Sequence, residues 1–190
     1  MSTYTSVQLT VDVTGERKDL LTLLADQRGM LKVTVRNLTE DDARKRTTVS
    51  ELTLGALLKH VAHGEAGCCK VIEERDENAE FDLSTAAQEY VFGPDDTVEH
   101  WLVEYDRAAA RLDELVAGAE SLDELIPQPT APWAPEREWN SLRTMIVHRL
   151  RETAQHCGHA DIIREALDGQ TTMVAISEGQ DWAADFDWQK

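Results

Sequence analysis

Apolar residues return every three to four positions along four long stretches of this sequence, approximately residues 16–38, 53–75, 97–118 and 140–168. Such spacing places apolar side chains on one side of an α-helix, and helices of this kind become stable by packing those sides together. Long connections separate the second stretch from the third and the third from the fourth. The sequence therefore predicts an all-α fold, a four-helix bundle with long connections.

The ends of these stretches carry residues that start and stop helices. Thr39, followed three residues later by Asp42, predicts a separate short helical turn. Asn140 and Ser141 are both good N-caps for the last helix, and Gly169 is the expected residue just after its end. The connection before the last helix contains four of the five prolines, which excludes a helix there.

We expect the 190 residues to form one domain, with a core over about 16–170 and a tail over 171–190. Within the tail, "MVAIS" (173–177) predicts a short extended segment. The aromatic residues of the tail recur at helical spacing, and these are Trp182, Phe186 and Trp188. We expect them to dock the tail on the bundle, and the alternative is a contact between two copies of the chain.

The charge balance restricts the partners. Acidic residues number 36 against 19 basic ones, for a formal net charge of −17. Nucleic acids and anionic membrane surfaces are therefore not expected partners, because both are bound by clusters of Lys and Arg. No apolar run is long enough to span a membrane, and the N-terminus lacks the features of a signal peptide. Three cysteines, two of them adjacent, form no disulfide framework, so we expect a cytoplasmic protein.

The last helix places a carboxylate and an imidazole on the side that should face the core. At about 100° per residue, Glu152 and His156 point in nearly the same direction as Met145 and Ile163. A buried carboxylate is costly unless it is paired or bound to a cation. Because Glu152 and His156 are four residues apart, both can reach one metal ion. The alternative is an ion pair between core side chains.

A third ligand must come from another helix. His60 lies at the edge of the apolar side of the second helix, where small residues leave room for a pocket: Ala56, Gly64 and Gly67. His60, Glu152 and His156 then form a set of two histidines and one carboxylate with open coordination positions. His63 and His100 are expected at the surface.

Further side chains of the last helix are candidates for roles beside the metal. His159 and His148 lie along the edge of the apolar side, where either could orient a ligand, bond a metal-bound water or move a proton. An ordinary edge histidine is the alternative. Arg149 faces the core, where it either pairs with an acid such as Glu65, the interpretation we favour, or binds an anionic cofactor or substrate. Cys157 points away and is interpreted as a packing or surface residue rather than a nucleophile.

The segments "LTLGALLKHVAHGE" (52–65) and "NSLRTMIVHRLRETAQHCGHADIIREALDG" (140–169) resemble the DinB-like metal-binding four-helix bundles. They are most similar to the branch related to mycothiol-dependent maleylpyruvate isomerase and the mycothiol S-transferases. "DLLTLLADQRGMLKVTVRNLTEDDARKR" (19–46) fits the first helix and following turn of that family. The resemblance covers roughly residues 16–170 and implies frequent homodimers.

The resemblance also implies ligands and chemistry. The metal ligands of the family are the histidine of an "LLxH" pattern and an E/H-x-x-x-H pair on the last helix, which fall on His60, Glu152 and His156. His159 stands where many relatives carry Gln, so it could add a fourth ligand. The implied metal is divalent, usually zinc or nickel. The implied activity is that of a transferase or isomerase that acts on a small-molecule substrate with mycothiol or another low-molecular-weight thiol. Two alternatives stay open: a metal-dependent hydrolase, and a non-catalytic protein whose metal site is structural or sensory.

Overall fold

The computed structural model describes residues 3–178, and its long helices occupy the four predicted stretches. They are α1 (Gly15–Thr34), α3 (Leu54–Glu74), α5 (Val98–Gly118) and α6 (Leu142–Asp168). α3 packs against α5 and α6, and α1 packs against α6. The prediction of an all-α four-helix bundle is confirmed. None of the helices in the described residues combines the length and the apolar character needed to cross a membrane.

Shorter elements fill the connections. They are the helices α2 (Glu40–Ala43), α4 (Leu83–Ala86) and α7 (Thr172–Ser177), and the strands β1 (Leu125–Pro127) and β2 (Trp139–Ser141). The two strands pair antiparallel, with Ile126 opposite Asn140. This small sheet was not predicted. It lies at the two ends of the proline-rich connection and brings the chain directly into α6.

Hydroxyl side chains start three of the long helices. Thr53, Thr97 and Ser141 each accept a hydrogen bond from the backbone N–H three residues later, which satisfies a donor that the first helical turn leaves free. α6 ends at Gly169, whose φ of 83° lies in the left-handed region that glycine adopts without strain. The predicted limits of the last helix are therefore confirmed.

The prediction of an extended segment at "MVAIS" (173–177) is wrong. These residues belong to α7, where the hydroxyl of Thr171 accepts a hydrogen bond from the N–H of Val174. The carbonyl of Ala175 accepts a hydrogen bond from Arg36, so the short helix is attached just beyond the end of α1. The tail residues behind the docking prediction lie outside the described residues: Trp182, Phe186 and Trp188.

A buried polar layer separates two apolar clusters of the core. One cluster includes Leu57 and the other includes Leu112. As α1, α3 and α6 pass from one cluster to the other, each contributes a buried polar side chain: Arg28, Glu65 and His156 respectively. The polar groups of this layer need partners, because an unpaired charge at this depth is costly.

Arg28 supplies the cation of this layer. Its guanidinium bonds Glu65 of α3 and, at 2.9 Å, Asp113 of α5, and all three side chains are buried. Burial raises the pKa of both carboxyls, while the charge of Arg28 acts in the opposite direction. The three side chains connect α1, α3 and α5 through one buried ion network.

We predict that Arg28→Met lowers the free energy of unfolding by about 3–5 kcal/mol, because two buried carboxyl groups lose their cation. Urea denaturation near neutral pH measures the loss. Arg107→Met is the matched control, because Arg107 is exposed and pairs with Glu104 on the surface of α5. Its effect should stay below about 0.5 kcal/mol. Equally small losses in the two variants would contradict a stabilising role for the network.

Candidate metal centre

The structure brings His60, Glu152 and His156 together. One ligand atom from each residue lies within 4.8 Å of the ligand atoms of the other two. His60 belongs to α3, and the other two residues belong to α6. His156 is buried, whereas His60 and Glu152 are half-buried, so the cluster has one open side.

Helix geometry produces this convergence. Glu152 and His156 are one turn apart on α6, with 3.9 Å between Oε2 of Glu152 and Nε2 of His156. Because α3 packs against α6, the ring of His60 meets the ring of His156 edge-on, with 4.9 Å between their centres. The cluster therefore depends on the contact between two long, regular helices rather than on a loop.

The surroundings favour the protonation states that metal ligands need. Burial, followed by the charges of His156 and Arg149, lowers the pKa of His60 from 6.5 to about 4. Burial also lowers the pKa of His156. Burial raises the pKa of Glu152, but a hydrogen bond from Arg151 and nearby cations outweigh it and leave that pKa low. Near neutral pH the cluster thus offers two neutral imidazoles and one carboxylate.

This donor set fits a divalent cation such as zinc or nickel. Zinc takes histidine nitrogen and carboxylate oxygen, and a site with three protein ligands keeps a position open for water or substrate. Nδ1 of His60 and Nδ1 of His156 are both buried and form no hydrogen bond among the described residues. The chemistry of the three side chains therefore agrees with the metal that the resemblance implies.

Two residues from the connection between α4 and α5 complete the surroundings of His60, and neither was predicted. The ring of Tyr90 stacks on that of His60 with 4.1 Å between centres, and its hydroxyl lies 2.9 Å from Nε2. The carboxylate of Glu89 lies 3.5 Å from Nδ1 of His60. A carboxylate that accepts a hydrogen bond from the second nitrogen of a ligating histidine orients the ring and raises its basicity, so Glu89 is a candidate for that role. No periodic pattern could have identified either residue, because this part of the connection is irregular.

His159 and His148 lie beside the cluster but are not part of it. The ring centre of His159 is 5.6 Å from that of His156, and Nδ1 of His159 is buried without a hydrogen bond among the described residues. His148 is exposed, and its Nδ1 accepts a hydrogen bond from Arg151 at 2.8 Å. The catalytic roles of both histidines stay predictions.

Cys157 is a packing residue. It is buried, and its thiol donates to the backbone carbonyl of Gln27 on α1. Burial raises the pKa of this thiol to about 12, which keeps it protonated and unreactive near neutral pH. Its side of α6 packs against α1, whereas His60 lies on α3.

The predicted pairing of Arg149 with Glu65 is wrong. Glu65 bonds Arg28 instead, and Arg149 forms no hydrogen bond or ion pair with any residue in 3–178. The guanidinium of Arg149 lies over Gly64, where an added Cβ would be 2.5 Å from Nη1. The helix periodicity indicates that Arg149 faces inward. It cannot indicate that Glu65 is already paired with Arg28 of α1.

Comparison with known proteins identifies the family. The sequence model of the mycothiol-S-transferase family matches residues 19–169, a range that includes the whole cluster. The chain belongs to the mycothiol-S-transferase family. A conserved protein from Enterococcus faecalis, known from its crystal structure, has a similar fold, with a TM-score of 0.60 and 13% identity over 83% of this chain and 100% of that one. At that identity the likeness shows the fold alone, and none of the curated proteins matches this chain.

We predict that one zinc or nickel ion binds per chain and that His60→Ala and His156→Ala each weaken binding more than about 100-fold. Loss of groups that only orient a ligand already costs 10- to 100-fold. Elemental analysis and competition with a chromogenic chelator measure uptake. His63→Ala is the control, because His63 is an exposed histidine of the same helix that packs on Trp101. Equal uptake by all four proteins would contradict the ligand assignment.

The chelator-treated protein should lose stability as the pH falls from 6.5 to 4, because of His60. In that interval the unfolded chain binds a proton at this histidine that the folded chain, with its pKa of about 4, does not bind. The expected loss at pH 4 is about 3 kcal/mol, and none is expected above pH 6.5. Urea denaturation across this range should show a weaker pH dependence in His60→Gln. Parallel curves for the two proteins would contradict the lowered pKa.

Proposed function

We propose that this chain is a metal-dependent transferase that joins a small electrophilic substrate to the sulfur of mycothiol or a related low-molecular-weight thiol. The observation that carries the proposal is the convergence of His60, Glu152 and His156 in a member of the mycothiol-S-transferase family. Imidazole ligands suit both zinc and nickel, and zinc also takes carboxylate oxygen.

The cluster has the charge and the access that thiol chemistry needs. A divalent cation held there would favour the thiolate form of a bound thiol. Because the protein contributes one negative charge and two neutral rings, the loaded site stays positive and favours an anionic sulfur. The half-buried positions of His60 and Glu152 leave one side open to both substrates.

The transfer is a substitution in which atoms and charges balance. The thiol gives its proton to a base of the protein or to water, and the thiolate sulfur forms a bond to an electrophilic carbon of the substrate. The leaving group departs from that carbon with the electron pair of the broken bond. The protein must therefore hold the sulfur, accept one proton and position the electrophile.

His159 is better suited than His148 to accept that proton. Nδ1 of His148 already accepts a hydrogen bond from Arg151, a group that can only donate, so neutral His148 carries its own proton on Nε2. Neither ring nitrogen of that residue is then free to accept a proton. His159 has an uncommitted Nδ1 and lies next to His156. We assign to His159 the role of the base that accepts the thiol proton. Glu89 and Tyr90, which lie beside His60, are assigned the role of holding its ring in position.

The decisive experiment combines thiol binding with turnover. The zinc-loaded protein should bind mycothiol in a calorimetric titration and accelerate its conjugation with monochlorobimane. His156→Ala should lose both properties, because it removes a ligand from the cluster. His100→Ala should keep both, because His100 is an exposed residue at the start of α5 that packs against Trp101. A loaded protein that neither binds mycothiol nor accelerates conjugation contradicts the proposal.

Further measurements separate the roles and the alternative functions. His159→Gln should lower kcat by roughly 100-fold with little change in mycothiol binding, and His148→Gln should leave kcat nearly unchanged. Chelator-sensitive ester hydrolysis without any thiol would point to a metal-activated water instead. Metal-dependent stabilisation without binding of thiol or substrate would point to a structural site.

A further inference from the structure

Arg149 is unusual among the arginines of this protein. The sequence contains thirteen arginines, all within the described residues, and twelve of them donate hydrogen bonds to carboxylates, backbone carbonyls or a histidine. Of these thirteen arginines, Arg149 alone forms neither a hydrogen bond nor an ion pair with any residue in 3–178. Acidic residues outnumber basic ones by 36 to 19, so partners are abundant elsewhere. The five N–H donors of a half-buried guanidinium are thus uncommitted.

Gly64 creates the space that Arg149 occupies. A Cβ at Gly64 would lie 2.5 Å from Nη1 and 3.7 Å from Cζ of Arg149, so any other residue would displace the guanidinium from this position. Glycine within a helix lowers helix stability relative to alanine. The middle of α3 therefore contains an unfavourable helix residue at the one point where the side chain of Arg149 crosses it.

This position is beside the metal cluster. Gly64 follows His60 by one turn of α3, and Arg149 precedes Glu152 by one turn of α6. Between these two positions, the rings of His60 and His156 meet edge-on, with 4.9 Å between their centres. The guanidinium and the candidate ligands therefore belong to one site.

We propose that Arg149 binds the carboxylate of an anionic electrophilic substrate and that Gly64 makes room for this subsite. The inference rests on the proposed function, because the electrophile is the substrate that meets the thiol. A guanidinium binds a carboxylate through two parallel hydrogen bonds, which fix both the position and the orientation of the substrate. Because the protein carries a net charge of −17, an uncommitted cation at this position would favour an anion there over the acidic surface around it.

The test compares two unreactive probes that differ in charge, para-nitrobenzoate and para-nitrobenzamide. Calorimetric titrations use the full chain, both zinc-loaded and metal-free, so that direct binding of the carboxylate to zinc is recognised. The unmodified protein should bind the benzoate at least roughly tenfold more tightly than the benzamide in both forms. Arg149→Gln should remove this preference, and Arg149→Lys should keep only part of it because lysine lacks the planar pair of donors.

Two further variants complete the comparison. Gly64→Ala should weaken benzoate binding nearly as much as Arg149→Gln, because its methyl group would lie 2.5 Å from Nη1 and displace the guanidinium. Its thermal unfolding should show that the fold is intact. Arg107→Gln removes an exposed arginine that pairs with Glu104 and should bind both probes as the unmodified protein does.

Benzoate binding tests the Arg149 subsite, whereas mycothiol binding and conjugation test the thiol transferase, so either can fail without the other. A benzoate preference that is absent from the unmodified protein, or that survives in Arg149→Gln, overturns the subsite even if mycothiol is bound and conjugated. Unchanged benzoate binding in Gly64→Ala overturns the role of the glycine. A preference that depends on Arg149 in a protein that binds no mycothiol supports the subsite and removes the thiol transferase.

Discussion

The ion network of Arg28, Glu65 and Asp113 determines how the helices of this bundle can be arranged. Three charges from α1, α3 and α5 meet in the core, and a shift of one helix by a turn would leave at least one of them buried and unpaired. We infer that the network fixes the relative heights of the helices. His60 precedes Glu65 by five residues in the same helix, so the network also fixes the height of His60.

The same network explains why a second arginine of the polar layer is uncommitted. Glu65 is the buried acid with which Arg149 was expected to pair. It is already paired with Arg28 of α1. The guanidinium of Arg149 instead lies over the backbone of α3 at Gly64. The layer thus contains one cation that stabilises the fold and another whose donors are available to a ligand.

The sequence predicts the features that local rules control. The apolar spacing and the capping residues place the long helices, and the four-residue step from Glu152 to His156 aligns two candidate ligands. Features that depend on contacts between segments are not predictable in this way. The approach of Tyr90 to His60 depends on an irregular connection, and the partner of Glu65 depends on which of two arginines reaches it. The helix α7 was missed because its six residues are too few to show a helical period.

Because the candidate ligands come from two distant parts of the sequence, a bound metal ion would affect how long the protein survives in the cell. His60 and the pair on α6 are about ninety residues apart in the sequence, so an ion held by all three would act as a cross-link that forms only in the folded state. Binding of this kind stabilises a fold by mass action, by about 2.7 kcal/mol when the free ion is at 100 times its dissociation constant. In a cell, proteases would then remove the chain faster during metal starvation, and its abundance would follow the metal supply.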